Sequence, residues 1–174
     1  MDPRVAPLAE ILRLDTRLVL NCVDGMTDAQ LAARPAPPAN GVAFLVAHLA
    51  DTRHALLALL GTAADNPLAP YVASAHGIDD VAALPARAEL LDAWRDVAER
   101  LDRRLAELDA AALDAPAPQR FPVDDASTLG AVAFLVQHDA FHVGQLALLR
   151  RIHGLPAMRY GAPRPAADAG APGA

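Results

Sequence analysis

Lysine is absent from this 174-residue chain, and all fifteen of its basic side chains are arginines. With alanine and proline heavily used, this reads as the coding bias of a GC-rich genome rather than as a functional signature. The arginines never cluster beyond the pairs Arg103-Arg104 and Arg150-Arg151, and the formal charge is −6. Phosphate backbones need a concentrated positive surface, so the composition argues against a nucleic-acid partner. There is one cysteine, Cys22, inside an apolar helical run. That excludes a disulfide framework and predicts a buried, inert thiol, which fits a reducing cytoplasm. No stretch reaches the roughly 18 uninterrupted apolar residues of a membrane span, because Asp51, Arg53 and His54 break the richest one, so no membrane partner is expected. The N-terminus, MDPRVAPLAE, has acid and proline where a secretory signal has a basic segment and an apolar core. Glutamate is scarce too: only Glu10, Glu89, Glu99 and Glu107 occur, none with histidine three residues on. The paired Glu-x-x-His motifs of a di-iron bundle are therefore excluded.

What the chain has in quantity is apolar residues at helical spacing. Val5, Leu8, Ile11, Leu12, Leu18, Val19, Cys22 and Val23 recur at steps of three and four and predict a first helix over 4–24. Thr27 with Gln30 forms a capping-box signature, placing a short helical turn over about 28–33 before the proline-rich ARPAPPAN. A second helix is expected over 41–60 from Phe44, Leu45, His48, Ala55, Leu56 and Leu59, with Gly61 to end it. The stretch 62–84, with Asn66-Pro67, Pro70 and Gly77, is too long for a tight turn and reads as a crossover along a bundle. Pro85 sits near the start of a third helix whose stripe is Leu91, Trp94, Val97, Leu101, Leu105 and Leu108. A proline-broken loop at about 114–126 leads to Ser127, a natural N-cap, and the fourth helix runs to His153, before Gly154 and Pro156. Four amphipathic helices without an alternating strand pattern define an all-α four-helix bundle. The length suits one domain over 1–160, with a Pro/Ala/Gly tail over 161–174 that is expected to be disordered.

One phrase occurs twice, ninety residues apart: AFLVAH at 43–48 and AFLVQH at 133–138. The second copy continues as HDAFHVGQ and adds His142, four residues after His138 and on the same helix face. With His138 at zero on a helical wheel, His142 falls at about +40° and Gln145 at about −20°, in line with Phe134, Leu135, Leu149 and Ile152. This predicts polar groups pointing at the core, where each ring nitrogen needs a partner. For His48 alone, a backbone carbonyl or carboxylate partner is the plainer account. For the pair with its matching histidine, a shared metal ion resolves the cost, and His48, His138 and His142 become candidate ligands. The protease motif H-E-x-x-H is absent, since Asp139 follows His138. His54 lies about 120° off the line of His48, His76 is in the crossover, and His153 ends the fourth helix, where a cation suits the helix dipole.

These features resemble the DinB-like (DinB/YfiT-like) superfamily of metal-binding four-helix bundles: His48 in AFLVAHLADTR, H-D-A-F-H-V-G-Q at 138–145, and VDGMTDAQLAARPAPP at 23–38. The resemblance covers about residues 5–160 and implies the three histidines as ligands of one divalent ion, zinc or nickel, with water at open positions. Some members are transferases or isomerases that use low-molecular-weight thiols, and members are often homodimers. A metal-dependent transferase or hydrolase, acting on a small molecule with or without a thiol cosubstrate, is one expectation. The alternative is a non-catalytic bundle with a structural ion that binds a small ligand or a protein, and a plain dimerising bundle is a third. Gln145 is the candidate hydrogen-bonding group beside the ion. Asp51 and Asp139 could each orient a histidine or simply be solvated, and Arg53, Arg95 and Arg150 are solvated cations or anion binders.

Overall fold

The computed structural model describes residues 1–34, 39–72 and 77–161. Among these residues the chain is all-helical: α1 (Ala6–Val23), α2 (Asp28–Ala32), α3 (Val42–Leu59), α4 (Ala69–Val72), α5 (Arg87–Glu107), α6 (Ala110–Asp114) and α7 (Thr128–Ile152), with one 3-10 turn at Ile78–Asp80. The four long helices, α1, α3, α5 and α7, are the four expected from periodicity. The tail beyond Gly161, His76 and part of the proline-rich segment lie outside the described residues.

Local chemistry sets the helix ends. The Thr27 hydroxyl accepts from the Gln30 amide while the Gln30 side chain accepts from the Thr27 amide, the reciprocal box that starts α2. The Ser127 hydroxyl accepts from the Gly130 amide at 3.3 Å and starts α7. Gly61 and Gly154 follow α3 and α7 at φ of 80° and 77°, a left-handed conformation that costs glycine little and other residues more. Pro85 lies before the N-cap Ala86 of α5, so it precedes the helix instead of opening it. The loop expected at 114–126 is preceded by the short helix α6, where the Asp109 carboxylate accepts from the Ala112 amide, and is pinned to the start of α7 by a bridge between Pro116 and Ser127.

In the bundle α1 packs on α5 and α7, and α3 packs on the same two. Helices α3 and α5 run parallel: Ala43 and Leu90 share the lining of a cavity near their starts, and the Arg104 guanidinium donates to the Leu60 carbonyl at 2.8 Å near their ends. Parallel neighbours need a return connection as long as the helix, about 27 Å for 18 residues at 1.5 Å each. The long segment between α3 and α5 provides it, as the crossover reading requires. Trp94, Leu45, Leu49, Leu57, Leu101 and Leu146 are the kind of side chain that fills the middle. Helix α3 is long and apolar enough to cross a membrane by length and composition, but 67% of it is buried inside this bundle.

Arg53, Asp139 and Asp15 are among the ionisable side chains buried in that core. Arg53 of α3 and Asp139 of α7 each keep only 2% of their side-chain surface and are paired Nε to Oδ2 at 2.8 Å. The rest of the Arg53 fork donates to the Thr16 hydroxyl at 2.7 Å and the Leu12 carbonyl at 3.1 Å, and its plane lies 4.0 Å from the Trp94 ring centroid. Asp15, on α1, is buried with Oδ2 lacking a hydrogen-bond partner. Burial first, and then the Asp139 charge, push its carboxyl up to about 6, with Arg53 opposing.

Because the folded state holds the Asp15 proton more tightly than the unfolded chain does, folding is penalised progressively as pH rises from 3.8 to about 6. The Asp15→Asn variant lacks that penalty, whose upper bound is about 3 kcal/mol. Its melting temperature should exceed that of the parent at pH 7.5, with the gap closing as pH is lowered to 4; thermal melts across this range check it, and a constant gap would refute it.

Candidate metal centre

Helices α3 and α7 pack side by side, and the two copies of the repeated phrase meet there. His48 Nε2 lies 3.2 Å from His138 Nε2, which in turn lies 3.1 Å from His142 Nε2. One ligand atom from each of the three histidines falls within 4.8 Å of the others, and no other group of three or more His, Cys, Asp or Glu does so among the described residues. The rings are mutually edge-on: His48 crosses His138 at 60° and His142 at 83°, and His138 crosses His142 at 73°. Three neutral imidazoles can offer one another few hydrogens, so three Nε2 lone pairs turned to one point are poorly satisfied without a cation. Ligand bonds of about 2.0–2.1 Å at tetrahedral angles would set the nitrogens about 3.3 Å apart. The observed spacing fits a divalent ion.

Electrostatics favour the neutral, ligating form of two of the rings. Burial first, and then the neighbouring imidazoles, hold His48 down to about 4. Burial and His142 do the same to His138, also to about 4. Gln145 reaches the third ring, with Oε1 2.7 Å from His142 Nδ1. A proton on Nδ1 donating to that oxygen leaves Nε2 as the free lone pair, which fixes the tautomer a ligand needs. On the other side of the pair, His138 Nδ1 is buried with no such partner. Phe44 stacks on His48 at 6.0 Å and 3°, and Phe141 meets His142 at 5.2 Å and 76°.

The structure corrects the wheel. The centre of the buried stripe of α7 lies about 100° round from His138, on a line through Asp139, Leu146, Val132 and Val143. His138, His142 and Gln145 are half-buried at its edge, and Ile152, expected on the core line, is exposed. Ala55, assigned to the apolar stripe of α3, is exposed as well. An ion centre that exchanges ligands needs an accessible side, and the edge of the stripe supplies one.

Neither carboxylate weighed as an orienting group bonds any of the three rings. Asp51 accepts from the Asn66 side chain at 2.7 Å, and Asp139 is the partner of Arg53. Arg53 and Arg150 are not solvated cations. Arg150 donates to the Pro156 carbonyl at 2.7 Å and to the carbonyls of Cys22 and Asp24, closing the C-terminal end of α1. Arg95 is exposed and paired with Asp92 at 3.1 Å. His54 is buried apart from the cluster, with both ring nitrogens lacking a partner at hydrogen-bonding geometry, and its burial lowers its pKa. Cys22 is fully buried and its thiol is pushed up to about 11 by that burial, so the inert reading holds. What residue-by-residue reasoning missed is that Arg53 and Asp139 are each other's partner. The available signal was an acid in the middle of an apolar α7 segment and, five residues after His48, an arginine in the equally apolar α3.

A helical bundle with three imidazoles gathered from two antiparallel helices, two of them ending the copies of one phrase, defines a class of candidate metal proteins. The DinB superfamily matches the chain over residues 11–146, and the chain belongs to it. The fold is shared with a solved structure described as the conserved protein of locus from Enterococcus faecalis, at a TM-score of 0.73 and 16% identity, over 85% of this chain and 95% of that one. No curated protein matches the chain.

Breaking the Arg53–Asp139 pair from one side leaves an uncompensated buried charge, so Asp139→Ala should cost about 3–5 kcal/mol in urea unfolding. Adding Arg53→Met in the same chain should return most of that loss, because the stranded charge is gone. A double variant no more stable than Asp139→Ala would show that the pair is not coupled in this way.

Proposed function

We propose that the chain is a divalent-metal protein, zinc or nickel, in which His48, His138 and His142 hold the ion and leave a position for a small-molecule substrate. The observation that carries this reading is the convergence of three Nε2 atoms from α3 and α7 at the spacing of a ligand set. A structural ion is normally enclosed by four protein ligands, whereas three with an open position is the catalytic pattern. Among the described residues no fourth histidine, cysteine or carboxylate joins the group, which favours an enzyme over a structural-ion bundle. An ion at this position supplies Lewis-acid polarisation and lowers the pKa of a water or thiol that it binds.

The chain's own residues perform the remaining work. His48 and His138, kept neutral by burial, present lone pairs rather than protons at the centre. Gln145 holds the His142 ring in the ligating tautomer. Phe44, buried and parallel to His48, limits rotation of that ring. The reaction class we propose is transfer or hydrolysis, with a low-molecular-weight thiol as cosubstrate in the transferase case. Cys22 is not available as an internal nucleophile, since it is buried and its thiol is held protonated.

Elemental analysis of the purified chain should find about one divalent ion per molecule, falling below a tenth in His138→Ala and in His142→Ala. Binding to the folded state alone stabilises by about 4 kcal/mol at a thousandfold excess over Kd, which corresponds to a rise on the order of 10 °C in Tm for a chain of this size. Absence of bound metal together with an unchanged Tm in zinc and in nickel would overturn the reading. Gln145→Leu should keep the ion but bind it about 10–100-fold more weakly, as loss of a group that orients a ligand does.

A further inference from the structure

The chain has four phenylalanines, and their placement around the histidines is uneven in a way that packing alone does not require. Phe44 and Phe141 touch the rings of His48 and His142. Phe134 lies one helical turn before His138 on the same side of α7, and Phe121 packs against it at 5.5 Å from the loop that precedes the helix. Phe44 is in the core, and Phe121 and Phe134 are half-buried. Phe141 is different: 58% of it is exposed, edge-on to a ligand ring, on a strip that Leu148 continues at 61%. Leaving a large ring half in water forgoes part of the gain of burying it. A small polar residue would serve α7 better at that position if nothing were to cover it.

We infer that the substrate of this centre carries an aromatic group beside its metal-binding head, and that Phe141, with Phe134 behind it, receives that group. The inference rests on the proposed metal reading and adds the substrate class to it. Two features of the surroundings agree. The three arginines weighed above as anion binders are engaged elsewhere, Arg53 with Asp139, Arg150 with backbone carbonyls and Arg95 with Asp92. The side-chain amide that bonds the cluster, that of Gln145, suits one neutral hydrogen-bonding group on the substrate. A second copy of the chain is the weaker occupant. From Phe141 to Ile152 the exposed strip runs about 16 Å along one helix roughly 10 Å across, on the order of 160 Å² and well short of the roughly 800 Å² per partner of a stable interface.

The test compares two chelating probes, benzohydroxamate and acetohydroxamate, titrated calorimetrically into the zinc- or nickel-loaded full-length chain. Stacking on an aromatic wall should make benzohydroxamate bind about tenfold tighter. Phe141→Ser, a change at an exposed position, should remove most of that preference while leaving metal content and acetohydroxamate affinity as they are. Equal affinity of the two probes for the loaded parent, or a preference that survives Phe141→Ser, would overturn the aromatic wall and leave the metal centre standing. A dimer in solution that dissociates in Phe141→Ser would also overturn it, since the strip would then be a subunit interface. Failure to take up metal at all would remove the underlying reading instead.

Discussion

The buried ion pair between Arg53 and Asp139 is the constraint that places everything else. Two charges with 2% of their surface left to water are tolerable only if every strong donor and acceptor is matched, and the Arg53 fork is matched on three sides. Carboxylate, hydroxyl and carbonyl come from α7 and α1, and the flat face lies on Trp94 of α5. One side chain on α3 therefore touches all three of the other long helices. Sliding α3 by a single residue along α7 would break the pair, and a buried pair broken on one side costs several kcal/mol. His48 is five residues before Arg53, and His138 immediately precedes Asp139. The register that satisfies the ion pair is the register that brings the imidazoles together.

That coupling explains which parts of the fold were legible in the residues. Long amphipathic segments declare themselves by apolar spacing, and α1, α3, α5 and α7 end within a few residues of where caps, Gly61 and Gly154 put them. The crossover was legible because a segment such as 62–84 has no role between antiparallel neighbours. Helix α6 was not, since five residues, AAALD, are too few to show a period. The three histidines could be grouped because AFLV[AQ]H occurs twice and marks two segments as equivalent. No such marker joins Arg53 to Asp139, which are 86 residues apart and stand in dissimilar surroundings. A charged residue inside an apolar stripe shows that a partner exists, not where it is.

The wheel went astray on α7 for a related reason. Leucine, alanine and valine occupy so much of its circumference that the apolar arc does not point in one direction. The true core line passes through Asp139, a residue a hydropathy pattern assigns to solvent. With its arginine in place Asp139 is buried more deeply than any other polar or charged residue among the described residues, and His138 and His142 lie beside it on α7. The same asymmetry leaves the three rings unequally supported, with Gln145 on His142 and no partner on His138 Nδ1.

The ninety residues between the two copies of the phrase bear on how the chain folds. His48 lies on the second of the long helices and His138 on the last, with the crossover and α5 between them. No partly folded chain lacking α7 can present more than one of the three imidazoles, and only docking of α7 against α3 closes the loop between them. Such long-range contacts form late and slow the search for the native state. An ion bound at that junction would therefore stabilise only a chain whose α3 and α7 have already docked.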